Sequence, residues 1–342
     1  MRRLVFVLLG SMALVWGGCS TPAPKDPDPQ PYTRIANPDA DTVQLQIALR
    51  KFVPAGRHRG PDVWLAAVMH VGEPEYYETL QRFLDKQTVV LYEGINPDAH
   101  PHHVHDAPGS SAPAPKPPPP SGDNGGYSMQ STLARSIGLV FQLEAIDYDR
   151  TNFLNSDLSV EQIQRIMAGG KPLAAPGQGG RNTSFNTLLQ IMDGSSFLGS
   201  LFKIGMQIIA ASPQLQAVAK LTFIEAVGKL KGDLSDAQGL PPEWKDLIKV
   251  LIQARNQNVV ADLKDELKTV PRSGSIAIFY GAGHMDDLEK RLTGSLHYRA
   301  SGDTWLPAFS VNLRKSGISP SEAKFMRNLI DSQLGDMQKS TQ

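Results

Sequence analysis

The sequence predicts an α/β fold with a mostly parallel central sheet flanked by helices. Three observations carry that reading. Val63 to Val68, Thr88 to Tyr92 and Ser275 to Tyr280 are short, nearly continuous apolar runs, as expected of strands covered on both faces. Helix-length segments separate them, so strand and helix alternate as in βαβ units. No repeat of solenoid type competes with that pattern.

The N-terminus follows the grammar of export. Arg2 and Arg3 precede a short apolar run, Leu4 to Trp16, and Gly17 and Gly18 are the small residues a signal peptidase needs beside its cut. The run falls short of the about 20 residues of a membrane span, so residues 1–18 are expected to be a signal peptide. The single cysteine, Cys19, follows at once. Alone it closes no internal disulfide. Gly17-Gly18-Cys19 resembles a bacterial lipobox, although Trp16 stands where an aliphatic residue is usual. The resemblance implies a lipid on Cys19 and membrane attachment in the cell envelope, and Ser20 resembles the outer-membrane sorting signal of diderm bacteria. Plain secretion with a free thiol is the alternative.

Residues 19–41, with Pro22, Pro24, Pro27, Pro29 and Pro31, read as a flexible tether. Residues 42–342 read as one α/β domain. Val43, Leu45, Ile47 and Leu49 alternate within an expected strand, Thr42 to Val53. Val63 to Val68 runs into Met69 and His70, and Glu73 to Lys86 reads as a helix with Pro74 in its first turn. Thr88 to Tyr92 ends at Glu93. Residues 96–127 contain HPHHVH, APAPKPPPP and SGDNGG, a composition that cannot pack, and read as a disordered insertion. Gln130 to Ile146 reads as one apolar helix, and Asp147 to Asp157 as a polar loop. Ser159 and Gln162 are spaced as a capping box for a helix reaching Met167. Residues 185–231 read as a helical subdomain; its most apolar stretch, Phe197 to Ala211, is too short to span a membrane and carries Lys203. Pro241 to Lys268 is a long amphipathic helix, Ser275 to Tyr280 a third buried strand, and Asp286 to Leu292 a short helix. Leu296 to Arg299 and Trp305 to Val311 read as a hairpin. Ser319, Pro320 and Glu322 cap a C-terminal helix.

Composition narrows the function classes. With 41% hydrophobic and 20% charged residues the chain is an ordinary globular one, and Lys+Arg and Asp+Glu balance at 34 each. No net field favours nucleic acid or an anionic membrane surface. A nucleophile elbow, P-loop and dinucleotide fingerprint are all absent from the sequence. His100, His102, His103 and His105 read as a solvated tract with weak metal affinity rather than as a site.

One constellation carries chemistry. His70, Glu93 and His284 each stand at the carboxyl end of a buried apolar run, and in open parallel sheets ligands gather beyond those ends. Gly72, Gly94, Gly281 and Gly283 accompany them and allow tight turns and close approach. Two imidazoles and a carboxylate suffice to hold a divalent metal with open positions, and such a metal generates a nucleophile from water at neutral pH. Without metal, a histidine beside a carboxylate serves as a general base. Taken singly, each of the three residues also has an ordinary structural reading as a hydrogen-bonded loop residue. Arg255 falls on the apolar stripe made by Ile248, Leu251, Ile252, Val259 and Leu263. A guanidinium there needs a carboxylate or an anion. Two readings stay open: a structural ion pair with Glu93 or Glu144, or an arginine that orients Glu93 or a substrate carbonyl.

The segments VWLAAVMHVGEPEYYETL, VVLYEGI, LIQARNQNVVADL and IAIFYGAGHM, in that order, resemble the TraB/PrgY/GumN family. That family belongs to a wider group with Tiki peptidases, erythromycin esterases and ChaN-type iron-regulated lipoproteins, and the likeness covers most of residues 42–313. Its pattern has two Gly-x-x-His motifs, a glutamate and a late arginine. Gly281 and His284 meet one motif, Glu93 and Arg255 meet the single positions, and His70 meets the other motif with Ala67 in place of glycine. The resemblance implies metal-dependent hydrolysis of a peptide or ester bond, the activity of some members while many others have none established, with Mn, Co, Zn or Fe held by His70, Glu93 and His284. The ChaN branch implies the alternative of a non-catalytic haem- or iron-binding protein, and Ala67 is the residue that points toward a degenerate scaffold.

Replacing Cys19 with serine is expected to move the protein from the membrane to the soluble fraction. Continued membrane association on fractionation contradicts the lipobox.

Overall fold

A strand that keeps both edges paired along most of its length organises the sheet. This is β2 (Thr42–Pro54) in the computed structural model, which describes residues 31–56, 59–94, 129–167, 206–229 and 242–339. The signal peptide, Cys19, the insertion 96–127, and residues 185–205 and 230–231 of the expected helical subdomain lie outside them. Val43, Leu45, Ile47 and Leu49 point into the core, as their alternation predicts. From Ile47 onward both faces are covered, so Ala48 and Arg50 are buried as well.

Along one edge of β2 runs β9 (Tyr298–Asn312), antiparallel from Thr42↔Asn312 to Pro54↔Tyr298 with two register shifts. The expected hairpin is therefore a single strand. Its polar middle, Ala300 to Thr304, reads as a turn in sequence, yet stays paired because β2 supplies a partner throughout. It lies exposed and is irregular there, as bulged strands often are. On the other edge of β2 two strands follow one another, β1 (Thr33–Ala36) at Gln44 to Ile47 and β3 (Asp62–Val68) at Leu49 to Phe52. The tether read over residues 19–41 is corrected at its end by β1 and by the buried Tyr32.

Beyond β3 the sheet is parallel. β8 (Ser275–Gly281) pairs with β3, β5 (Val89–Tyr92) with β8, and β7 (Phe153–Asn155) with β5. The α/β class stands: an antiparallel half and a parallel half share one sheet, flanked by helices. A short second pairing joins β4 (Val71–Gly72) to β6 (Val140–Phe141).

The helices form where apolar residues recur at helical spacing. In α1 (Pro74–Leu84) Tyr76, Tyr77, Leu80 and Leu84 are buried, and Pro74 occupies the first turn, where its missing N–H costs nothing. Ser159 and Gln162 exchange the two hydrogen bonds of a capping box ahead of α4 (Val160–Met167). The expected helix Gln130 to Ile146 is broken into α2 (Met129–Ser136), β6 and α3 (Gln142–Ala145). Gly138 breaks it, at φ +67, with Leu139 N donating to Ala134 O (2.8 Å) and Gly138 N to Arg135 O (3.1 Å). Those two bonds are a Schellman ending.

Residues 206–210 are helical, and α5 (Pro213–Lys229) packs on β1, β2 and β9. Within the described residues the expected helical subdomain is thus part of the main body. Next come α6 (Pro242–Thr269), against β5 and β8, and α7 (Met285–Ser295), against β3 and β9. Last is α8 (Pro320–Lys339), whose Ser319 and Glu322 make the expected capping contacts. Among the described residues no helix is long and apolar enough to cross a membrane.

Gly138→Ala forces a Cβ into the left-handed region and is expected to cost about 1–2 kcal/mol of stability. Urea denaturation at neutral pH measures it.

Candidate functional site

Parallel pairing in the order β3, β8, β5, β7 sets four strand ends side by side: Val68 opposite Gly281, Tyr92 opposite Phe279, and Tyr92 opposite Asn155. The residues that follow those ends share one rim. His70 follows β3, Glu93 follows β5, Asp157 follows β7, and a single 3-10 turn, Ala282–His284, delivers His284 after β8. Sequence reasoning placed three of the four there, and the geometry brings them together.

Glu93 is the hub. Its Oε1 accepts from Arg255 Nη2 at 2.7 Å and lies 3.7 Å from His284 Nε2. Its Oε2 accepts from the Gly281 N–H at 2.6 Å. A β-carbon built on Gly281 would stand 3.3 Å from both Glu93 Oε2 and His70 Nε2, so these two groups crowd the one position where the side chain is missing. A side chain there would press on both groups, at an ordinary φ of −53°.

Arg255 reaches the rim from α6. It is buried, and Asp157 holds its other side: Nε donates to Oδ1 at 2.7 Å, and Nη2 donates to Oδ2. Asp157, whose side chain is fully buried, also accepts from the Gly94 and Leu158 N–H groups. Of the two partners left open for Arg255, Glu93 is the one that meets it; Glu144 lies at the surface with Arg135. Each imidazole has an amide behind it. His284 Nδ1 is 2.7 Å from Asn256 Oδ1, and His70 Nδ1 is 2.8 Å from Gln142 Oε1. Gln142 is carried there by the chain reversal at Gly138. Tyr148 accepts from Gln142 Nε2 at 2.8 Å, and its ring packs on Tyr92, Phe153 and Phe279.

The remaining glycines divide. Gly94 serves the site through Asp157, and Gly283 lies in the turn that delivers His284. Gly72 serves packing instead, since a β-carbon there would meet Tyr76 at 2.8 Å and the Ala308 carbonyl at 3.1 Å. Ala67 is fully buried in β3, paired with Tyr280, and His70 is presented without a glycine at that position.

Electrostatics follow from burial and pairing. Burial opposes ionisation of Glu93, but the Arg255 guanidinium, the two imidazoles and the Gly281 N–H outweigh it and hold the carboxyl at about 2. For His284 burial dominates and Arg255 adds to it, lowering the pKa against the pull of Glu93. At neutral pH Glu93 is ionised and His284 is uncharged.

Among the described residues no group of three His, Cys, Asp or Glu side chains is arranged, as placed, to hold a metal ion. Both Glu93 oxygens are already engaged, by Arg255 and by Gly281. Comparison with known protein families, curated proteins and solved structures finds no match for this chain.

Asn256 and Gln142 are the members that the sequence did not single out, and Asp157, with Asp147, Tyr148 and Arg150, read as a solvated loop by default with the rim of the site as the alternative. Asp157 read as one residue of a polar loop because the strand before it has three residues, too short for periodicity to reveal.

A carboxyl depressed on folding adds stability that is complete above its unfolded pKa and lost as pH falls through the folded value. For Glu93 that window runs from 4.5 down to about 2. Glu93→Gln is expected to be less stable than the parent at pH 7 and to flatten the fall in stability across that window. Urea titrations at pH 7, 4.5 and 3 read both effects.

Proposed function

We propose that this chain is an exported, lipid-anchored hydrolase of TraB type that cleaves a peptide or ester bond with a divalent metal. One observation carries the reading: the Glu93 carboxylate lies 3.7 Å from His284 Nε2 and shares the bare face of Gly281 with His70 Nε2, at the carboxyl edge of three adjacent parallel strands. The donor chemistry, two imidazoles and a carboxylate, suits Mn, Co, Zn or Fe. His70, His284 and Glu93 would hold the ion, which when bound supplies a polarised carbonyl and an acidified water.

The chain's own residues prepare that site. Arg255, clamped by Asp157, keeps Glu93 ionised and fixes its direction. His284 is buried and uncharged, so one ring nitrogen keeps a lone pair. His70 is exposed, so the rim opens to solvent on its side and a substrate enters past its ring. Tyr92, Tyr148 and Phe153 form an aromatic wall beside Glu93.

Haem binding without catalysis is less well supported. A haem needs open space in front of its axial nitrogen. His284 Nε2 instead faces a carboxylate at 3.7 Å in a residue that is 7% exposed.

Purified protein is expected to contain about one divalent ion per chain and to hydrolyse a nitrophenyl ester or a fluorogenic peptide. The His70→Ala/His284→Ala double variant should lose both. Elemental analysis showing the same metal content in parent and variant would sink the reading.

A further inference from the structure

We infer that Asn256 and Gln142 are positioning residues that turn Nδ1 of His284 and of His70 toward an amide oxygen, and that Asn256 thereby holds His284 as the tautomer protonated on Nδ1, with its Nε2 lone pair presented toward Glu93. The meaning of this lock for catalysis rests on the hydrolase reading above; the lock itself does not.

The argument is firmest at Asn256, which is fully buried. Its Nδ2 stands 2.8 Å from Asp287 Oδ2 and 3.2 Å from the His284 carbonyl oxygen. Both are acceptors, so the amide nitrogen must face them; turning the amide over would set an oxygen against two oxygens. Asp287 is itself fixed by Arg291 Nε at 2.6 Å. The amide oxygen is therefore the atom that meets His284 Nδ1 at 2.7 Å, and a hydrogen bond between them requires the proton on Nδ1. In an uncharged ring Nε2 is then bare.

Gln142 repeats the arrangement under His70. It is 3% exposed, its own N–H donates to the His70 carbonyl at 2.8 Å, its Oε1 faces Nδ1, and its Nε2 donates to the Tyr148 hydroxyl. A phenol accepts as readily as it donates, so Tyr148 sets this amide less firmly than Asp287 sets Asn256.

The consequence appears where Nε2 of His284 meets Glu93 Oε1. Two acceptors face each other at 3.7 Å with no proton of their own to share, and Oε1 accepts from Arg255 Nη2. A cation held there would meet the Nε2 lone pair. Partners behind a ligating imidazole commonly hold the ring for a metal in this way, and losing one typically costs 10–100-fold in affinity.

The test uses the full chain labelled with 15N-histidine and stripped with EDTA. Long-range 1H–15N correlation at pH 7.5 is expected to show His284 with a protonated Nδ1 and a bare Nε2, assigned by loss of its signals in His284→Gln. Asn256→Leu should give averaged shifts. Should Asn256→Leu fail to fold, Asp287→Leu frees the same amide and is expected to give the same averaging. A protonated Nε2 in the parent, or a spectrum unchanged in the leucine variant, overturns the inference. Zinc titration of the same samples is expected to show affinity 10–100-fold weaker in Asn256→Leu. A parent that takes up no zinc ends the metal-hydrolase reading alone, because the tautomer spectrum is recorded without metal.

Discussion

The site depends on one buried charge arrangement, the Arg255 guanidinium shared between Glu93 and Asp157. Each of these groups alone would be costly to bury, and removing one partner of such a pair typically costs several kcal/mol. Together they tie α6 to the ends of β5 and β7, so the sheet edge and the helix above it are fixed by one ionic contact. The ledger of charge is also telling: two carboxylates meet one guanidinium, which leaves an excess of negative charge beside two imidazole rings.

Much of this was legible because burial writes itself into sequence. Strands covered on both faces read as apolar runs, so the sequence alone places His70, Glu93 and His284 at strand ends. Arg255 stood out because a charge on an apolar helix stripe needs an explanation. The α/β class followed from the same runs. Where the reading failed, the physical signal was weak or ambiguous. Uncharged amides such as Asn256 and Gln142 have no period and no charge to mark them. The polar stretch Ala300 to Thr304 looks like a turn, and only the long partner β2 keeps it in the sheet. Gly138 inside an apolar stretch was too small a mark to outweigh the residues around it.

Local chain chemistry and the site are connected at that glycine. The Schellman ending at Gly138 turns the chain out of α2 so that β6 can pair with β4. That pairing sets Val71 opposite Phe141, and the next residue, Gln142, arrives beside His70. A backbone conformation available cheaply only to glycine thus decides what stands behind a ring two elements away.

The early start of β1 has a consequence for where the protein works. With Tyr32 already packed in the core, a lipid on Cys19 would leave roughly 45 Å of fully extended chain between bilayer and body. Such a leash is about as long as the bilayer is thick. The rim bearing His70 would then stay within that reach of the membrane, and a substrate of the proposed hydrolysis would have to come to that surface.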